Sequence, residues 1–293
     1  MYELSFLCDS LCQGRGFTTT GGAEAAFWLQ RKFENIGLLK LGHSYGKKVY
    51  TGSGRIGRNI VGMIAGTKNQ KNDRYVIIGA HYDHLGTLGG RMYPGADANA
   101  SGTVALINIA EMLKVYTDNG KKLGQNIIFV AFDGKEHDMA GSKALWEMIR
   151  NGELKNPQTG KTISRDKISL MINMDQIGST LSPLASGRKD YLIMLGNNSL
   201  RPDKQNSLKT CNRDYAIDME LAFNYYSSQD FTRIFYRLSD QRVFVDNNIP
   251  AVLFTSGITM NTNKTWDTPG TIDLEIFKKR IFLIYHWIEM YVQ

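Results

Sequence analysis

The feature that most constrains the fold is a series of short apolar runs of β-forming composition that alternate with helix-like patterns. Residues 126–132 form a continuous apolar run bounded by polar residues, which is typical of a central strand buried on both faces. Strands that alternate with helices predict an open α/β sandwich with a largely parallel central sheet. The predicted strands are residues 49–51, 58–64, 75–79, 126–132, 168–174, 191–196 and 251–254, and the predicted helices are residues 2–13, 21–37, 102–115, 142–151 and 274–292.

Polar residues follow four of these predicted strands, either directly or after a short loop. In open α/β sheets, ligands bind outside the carboxyl ends of the strands. The carboxyl ends of parallel strands meet at one edge, so we expect these side chains to form a single functional site. The four residues are His81, Glu136, Asp175 and Asn263.

The segment at 78–102 gives a second reason to expect a site at this edge. Its apolar strand delivers His81 and Asp83 at the strand end, and a glycine-rich turn then presents Asp97 just before an apolar helix pattern. An imidazole and carboxylates held on rigid elements are suitable ligands for a borderline-soft divalent metal ion. These residues therefore indicate a metal site.

Six ordered motifs resemble those of the M28 family of zinc aminopeptidases, over nearly the whole chain. The resemblance implies a three-layer α/β sandwich with a mixed, mostly parallel sheet of about eight strands and helices on both faces. It also implies a single domain at residues 1–293, with an insertion or lid-like region around 179–235, and a zinc-dependent removal of N-terminal residues from peptides. The motifs are AHYDHLG at 80–86, GADANASG at 95–102, FDGKEHDMAGS at 132–142, NMD at 173–175, SD at 239–240 and IPA at 249–251.

By position in these motifs, the resemblance implies a pair of zinc ions that activate a bridging water. His81 and Asp175 would bind one ion, and Asp97 would bridge both. Glu136 would bind the other ion together with a histidine near the carboxyl end of the chain. The residue before Glu136 would be the general base, and Asp83 would orient His81.

Two positions depart from the family pattern. Lys135 takes the place of the general-base glutamate, and an ammonium among carboxylates stays protonated, so Lys135 is expected to be a poor base. Asn263 takes the place of the late histidine, and an amide oxygen is a weak zinc ligand beside imidazole. We therefore expect an impaired or inactive aminopeptidase that binds zero or one zinc ion rather than two. We also expect the Lys135 ammonium to replace the charge of the second ion.

Two alternatives stay open at this stage. An active exopeptidase would use a single metal ion and a substitute base such as Asp133, and its activity would depend on His81. A non-enzymatic protein would keep only the scaffold and bind peptides or aminoacyl small molecules without turnover.

Composition limits the partners. The net charge is +7, but the basic residues are scattered without a stripe, so no nucleic-acid partner is expected. No apolar stretch approaches the ~20 residues of a membrane span. The chain shows no signal-peptide pattern, while the family resemblance implies export to the periplasm or the extracellular space. The 3 cysteines are expected to be reduced, buried thiols, and no sequence pattern indicates an oligomeric state.

Overall fold

The computed structural model describes residues 1–52, 54–66, 73–181, 184 and 187–293. Within these residues, a nine-stranded sheet forms the centre of the protein, and a two-stranded sheet lies beside it. The strands are β1 (Leu39–Lys40), β2 (Gly46–Tyr50), β3 (Ile56–Ile64), β4 (Tyr75–His81), β5 (Gly86–Leu88), β6 (Arg91–Tyr93), β7 (Asn126–Phe132), β8 (Ile168–Met174), β9 (Tyr191–Leu195), β10 (Glu220–Ala222) and β11 (Ala251–Thr255). The α-helices are α1 (Tyr2–Leu7), α2 (Thr20–Ile36), α3 (Gly102–Asp118), α4 (Ala140–Arg150), α5 (Ser207–Asp214), α6 (Gln229–Phe235), α7 (Gln241–Asp246) and α8 (Leu274–Val292).

The central sheet is mixed, and its parallel part lies in the middle. The strand order is β1-β3-β7-β4-β8-β11-β9-β10, and β2 also pairs with β3. Strands β7, β4, β8 and β11 run parallel to one another, whereas β3 and β9 run antiparallel to their neighbours in this group. The predicted mixed α/β sandwich is confirmed, with nine strands in the described sheet where about eight were predicted.

Helices cover both faces of the sheet, as predicted. Every residue of β4 and β7 is buried, because apolar side chains on both faces pack under helices. Helices α2, α3 and α8 pack on one face, and α4 and α7 pack on the other. Residues 179–235 contain β9, α5, β10 and α6, and their predicted lid-like role stays a prediction.

The amino-terminal segment differs from the helix predicted at 2–13. Helix α1 ends at Leu7, and a 3-10 helix follows at Ser10–Arg15. Gly14 has a φ of +69°, and a Cβ atom there would lie 2.4 Å from the Tyr93 carbonyl oxygen, so a continuous helix does not fit. The turn directs the buried Arg15 guanidinium to four carbonyl oxygens, those of Leu7, Tyr82, Pro94 and Gly95.

A second buried arginine, Arg280 of α8, braces the loop that follows β8. Its guanidinium donates to the carbonyl oxygens of Ile177, Gly178 and Ser179 at 2.9, 3.2 and 2.9 Å. It also donates to the Tyr191 carbonyl oxygen at 2.9 Å. A buried charge is tolerated when its donors are satisfied, so Arg280 fixes the path of this loop.

The described cysteines are free and buried, which confirms the prediction for the thiols. Burial raises the pKa of Cys12 to about 11 and that of Cys211 to about 12, so both remain protonated at neutral pH. In the described part of the chain, no helix combines the length and the apolar character needed to cross a membrane.

Candidate active site

The carboxyl ends of the parallel strands bring the predicted polar residues to one cavity of about 190 Å³. Lys135 and Glu136 follow β7, Asp175 follows β8, and Asn263 lies in the loop after β11. All four line the cavity. His81, the last residue of β4, lies buried directly beside Asp175.

His81 lies between two carboxylates. Its Nδ1 is 3.4 Å from Asp83 Oδ1, and its Nε2 is 3.4 Å from Asp175 Oδ2. Burial alone would lower the pKa of His81, but the Asp175 charge and the contact with Asp83 raise it to about 10. The charges of Lys135 and His81 hold the pKa of Asp175 well below its usual range, against the effect of burial. At neutral pH the pair is therefore an imidazolium beside a carboxylate.

Asp83 connects this pair to the loop after β7. Its carboxylate accepts the backbone N–H of Lys135 at 3.1 Å and that of Glu136 at 3.2 Å. Burial would raise the pKa of Asp83, but the hydrogen bond to His81 and these N–H groups lower it. Asp83 thus contacts both His81 and the loop at 135–136, and its role in orienting His81 stays a prediction.

The Lys135 ammonium lies among the acidic groups. Its Nζ is 3.3 Å from Glu136 Oε1 and 3.8 Å from Asp175 Oδ2. Burial alone would lower the pKa of Lys135, but the negative charges of Asp175 and Glu136 raise it above its ordinary value. A permanently protonated amine cannot accept a proton from water. Lys135 therefore acts here as a fixed positive charge.

The structure corrects the expected position of Asp97. Its Oδ1 accepts the backbone N–H groups of Gly178 and Ser179 at 2.9 and 3.0 Å, and its Oδ2 accepts from Gln176 Nε2 at 2.7 Å. The Asp97 carboxylate is thus fully buried, and both of its oxygens accept hydrogen bonds from the loop after β8. The next residue, Ala98, lines the cavity. The segment therefore presents a methyl group where the bridging carboxylate was expected.

The cavity therefore has poor zinc ligands at the two points where Asp97 and a late histidine were expected. Ala98 offers no donor atom, and Asn263 lies at the exposed rim with only a neutral amide. The described residues contain no group of three or more His, Cys, Asp or Glu side chains placed to hold a metal ion. The predicted donor set of His81, Asp97, Glu136 and Asp175 is not assembled, and it does not fit a pair of zinc ions.

Asp240, the second residue of the Ser-Asp motif at 239–240, is a fully buried acid whose charge interacts with that of His81. Burial raises the pKa of Asp240 to about 6, although the His81 charge opposes this rise. The preceding residue, Ser239, lines the cavity and accepts from Asn173 Nδ2 at 2.9 Å. The Ser-Asp pair at 239–240 was the only sequence signal for these contacts.

Asp133, the suggested substitute base, does not line the cavity. Its Oδ2 accepts the backbone N–H of Arg58 at 2.7 Å, and only 4% of the residue is exposed. His137 also does not line the cavity, and its ring packs against Phe17 at a tilt of 39° with the centroids 4.8 Å apart. Neither side chain is placed to receive a proton from a ligand in the cavity.

The remaining walls are apolar and aromatic. Tyr225 and Phe235 stack with their ring centroids 3.8 Å apart and both line the cavity. These two aromatic side chains therefore supply both packing and a cavity wall. Leu238 and Ile258 line the mouth and are 50% and 43% exposed.

Solved aminopeptidase structures share this fold. The LapA aminopeptidase from Legionella pneumophila is 19% identical, with a TM-score of 0.71, over 100% of this chain and 71% of that chain. BSAP, a zinc aminopeptidase from Bacillus subtilis, is 18% identical, with a TM-score of 0.59, over 82% of this chain and 51% of that chain. The architecture is thus of the kind found in metal-dependent aminopeptidases.

Sequence comparison then identifies the family. The model of Peptidase family M28 matches residues 59–278. Aminopeptidase Y from Saccharomyces cerevisiae is 26% identical over 199 residues, which cover 68% of this chain and 30% of that protein. The chain belongs to Peptidase family M28. It spans less than a third of the length of the first curated relatives that it matches, namely 11% and 30%.

Proposed function

We propose that this protein binds the amino-terminal residue of peptides or of aminoacyl small molecules and does not hydrolyse them at an appreciable rate. The observation that carries the proposal is the position of the Lys135 ammonium, 3.3 Å from Glu136 and 3.8 Å from Asp175. A lysine at this point supplies positive charge but no base, and loss of a general base typically costs a factor of ~10²–10⁴ in rate.

The charge of the cavity favours a ligand with a free amino group. The charged groups among its described lining residues are two carboxylates, Glu136 and Asp175, and one ammonium, Lys135, so one negative charge is left over (two minus one). An ammonium group near Glu136 would balance this excess.

The size of the cavity favours one terminal residue over a long segment. Its volume is about 190 Å³, below the roughly 300–1,000 Å³ of typical ligand pockets. Its apolar walls would contact a hydrophobic side chain, and Thr262 and Asn263 at the rim offer polar atoms to the peptide backbone.

Calorimetry and a turnover assay test this proposal together. We expect a tripeptide with a free amino terminus to bind saturably, its N-acetylated form to bind about tenfold more weakly, and Glu136→Gln to weaken only the free peptide. With aminoacyl p-nitroanilides and added Zn²⁺, we expect no release above that of His81→Ala. Zinc-dependent release that His81→Ala abolishes would instead establish an active exopeptidase.

Restoring the missing groups tests whether the scaffold itself is intact. The variant Lys135→Glu/Ala98→Asp/Asn263→His returns a base and two ligand groups to positions that line the cavity. We expect it to bind Zn²⁺ and to gain aminoacyl hydrolysis. Lys143→Glu, which changes the same charge on the surface, is the control and should gain neither.

A further inference from the structure

A second cavity, of about 430 Å³, lies at the opposite end of the central sheet from the candidate active site. It is formed where the parallel strands begin: Arg74 precedes β4, Gln125 precedes β7, and Pro250 precedes β11. The candidate active site follows the carboxyl ends of the same strands, so the length of the sheet separates the two cavities. The lining residues used below are Arg74, Gln125, Ser169, Arg201, Lys204 and Tyr291.

The lining is strongly cationic. It includes Arg74, Arg201 and Lys204, and no Asp or Glu occurs among the described lining residues. Arg201 pairs with the exposed Asp203 at 2.7 Å. Within the described part of the chain, Arg74 and Lys204 have no carboxylate partner. Arg74 and Lys204 are therefore not neutralised by an ion pair with a side chain of the described residues.

The three cations border one open cavity together with the aromatic side chain of Tyr291. Lys204 Nζ lies 5.7 Å from the centroid of the Tyr291 ring. Burial raises the pKa of Tyr291, the charges of Arg201 and Arg74 oppose that rise, and the charge of Asp203 adds to it. Arg74 and Arg201 are exposed, so their guanidinium groups are accessible to a ligand from solvent.

The polar side chains of Ser169 and Gln125 also line this space. Ser169 Oγ lies 2.5 Å from Gln125 Oε1 and 3.1 Å from the Tyr75 carbonyl oxygen, and these two acceptors share its one hydroxyl proton. The cavity therefore presents neutral polar groups beside its cations.

We propose that this second cavity binds a small phosphate-bearing molecule. A phosphate monoester carries roughly −1.5 to −2 charge at pH 7, so a single group can neutralise both Arg74 and Lys204, which a single carboxylate cannot. A guanidinium also offers paired donors that match phosphate oxygens. The volume of about 430 Å³ lies within the usual range for small-molecule sites. This inference is independent of the proposed peptide-binding function.

Titration calorimetry with inorganic pyrophosphate at physiological salt tests the proposal. We expect saturable binding to the wild-type protein and a loss of affinity of about tenfold or more in Arg74→Gln/Lys204→Gln, because the variant lacks two cations that would donate charge-assisted hydrogen bonds to phosphate oxygens. The control Arg31→Gln/Lys48→Gln removes one arginine and one lysine that are both exposed and outside this cavity. We expect its affinity to equal that of the wild type.

Three results would each overturn the proposal: no saturable binding to the wild type, an equal loss of affinity in the control, or equal affinity for citrate. Circular dichroism shows whether each variant is folded. If the double variant does not fold, the single variant Lys204→Gln carries the test, since among the residues that the structure describes its ammonium contacts only the Tyr291 ring. Unchanged pyrophosphate affinity in folded Lys204→Gln would also reject the site.

Discussion

Replacing Lys135 by methionine should destabilise the protein, because the ammonium holds together acidic groups that would otherwise repel. Its Nζ lies 3.3 Å from Glu136 Oε1 and 3.8 Å from Asp175 Oδ2. At an effective dielectric constant of about 20, Coulomb's law gives about 5 kcal/mol for a charge pair at 3.3 Å and about 4 kcal/mol at 3.8 Å.

The net effect is smaller than this sum. The Lys135 side chain is 21% exposed, and folding also costs the desolvation of its charge. Removing one partner of a buried ion pair typically costs ~3–5 kcal/mol. Partial exposure reduces that range, so we expect Lys135→Met to lower the free energy of unfolding by about 3 kcal/mol.

Chemical denaturation at neutral pH measures this loss. Lys143→Met is the matched control, because Lys143 pairs with Asp138 on the surface, where the two side chains are 50% and 73% exposed. Surface pairs contribute about 0–1 kcal/mol. A loss in Lys135→Met no larger than that in Lys143→Met would refute the idea that this ammonium neutralises the site.

Added zinc provides a second measurement on the same variants. Without the ammonium, Glu136 and Asp175 face each other beside the buried Nε2 of His81, which makes no hydrogen bond to the described residues. We expect millimolar Zn²⁺ to raise the Tm of Lys135→Met but not that of the wild type. Equal shifts in both proteins would contradict charge replacement.

The remaining predictions concern stability. Asp97→Ala should lower the free energy of unfolding by about 3 kcal/mol, because it leaves the N–H groups of Gly178 and Ser179 buried without an acceptor; chemical denaturation showing a loss under about 1 kcal/mol would disprove this bracing role. Asp273→Ala removes the cap of α8 and should cost about 1 kcal/mol in thermal unfolding, whereas Asp273→Asn, which retains a capping oxygen, should cost much less. Burial raises the pKa of Asp133 to about 7, far above the ~3.9 of an unfolded chain. The folded state therefore binds the Asp133 proton more tightly than the unfolded state does. The stability that this proton contributes is fully present below about pH 4 and is lost as the pH rises to about 7. Asp133→Asn should remove that part of the pH dependence, and urea unfolding curves with the same pH slope in both proteins would count against it.

The central strands could be predicted from sequence because burial on both faces leaves an unbroken apolar run. The observed β7 and β8 begin and end at the predicted residues. The β5–β6 pair and helices α5, α6 and α7 were not predicted. They are short, and most of their stability comes from contacts with distant parts of the chain, which local periodicity does not record.

The site was predictable only where a regular strand sets the direction of the next residues. The ends of β7 and β8 correctly brought Lys135, Glu136 and Asp175 to one edge. The segment Ala96–Ser101 is irregular, and Ala98 has φ −106° and ψ 87°, outside the helical region. Because the backbone there is irregular, the sequence pattern does not show which side chain faces the cavity. The structure places Ala98 at the cavity, whereas the sequence predicted Asp97 there.

The two buried arginines have a consequence for how this family fold holds together. Arg15 and Arg280 both lie outside residues 59–278, the stretch that matches the family model. Arg15 clamps the backbone just before Ala98, at Pro94 and Gly95, and Arg280 clamps the loop that grips Asp97. A fragment trimmed to residues 59–278 would lose both clamps, so the stretch that the family model matches is smaller than the unit that must fold to shape this cavity.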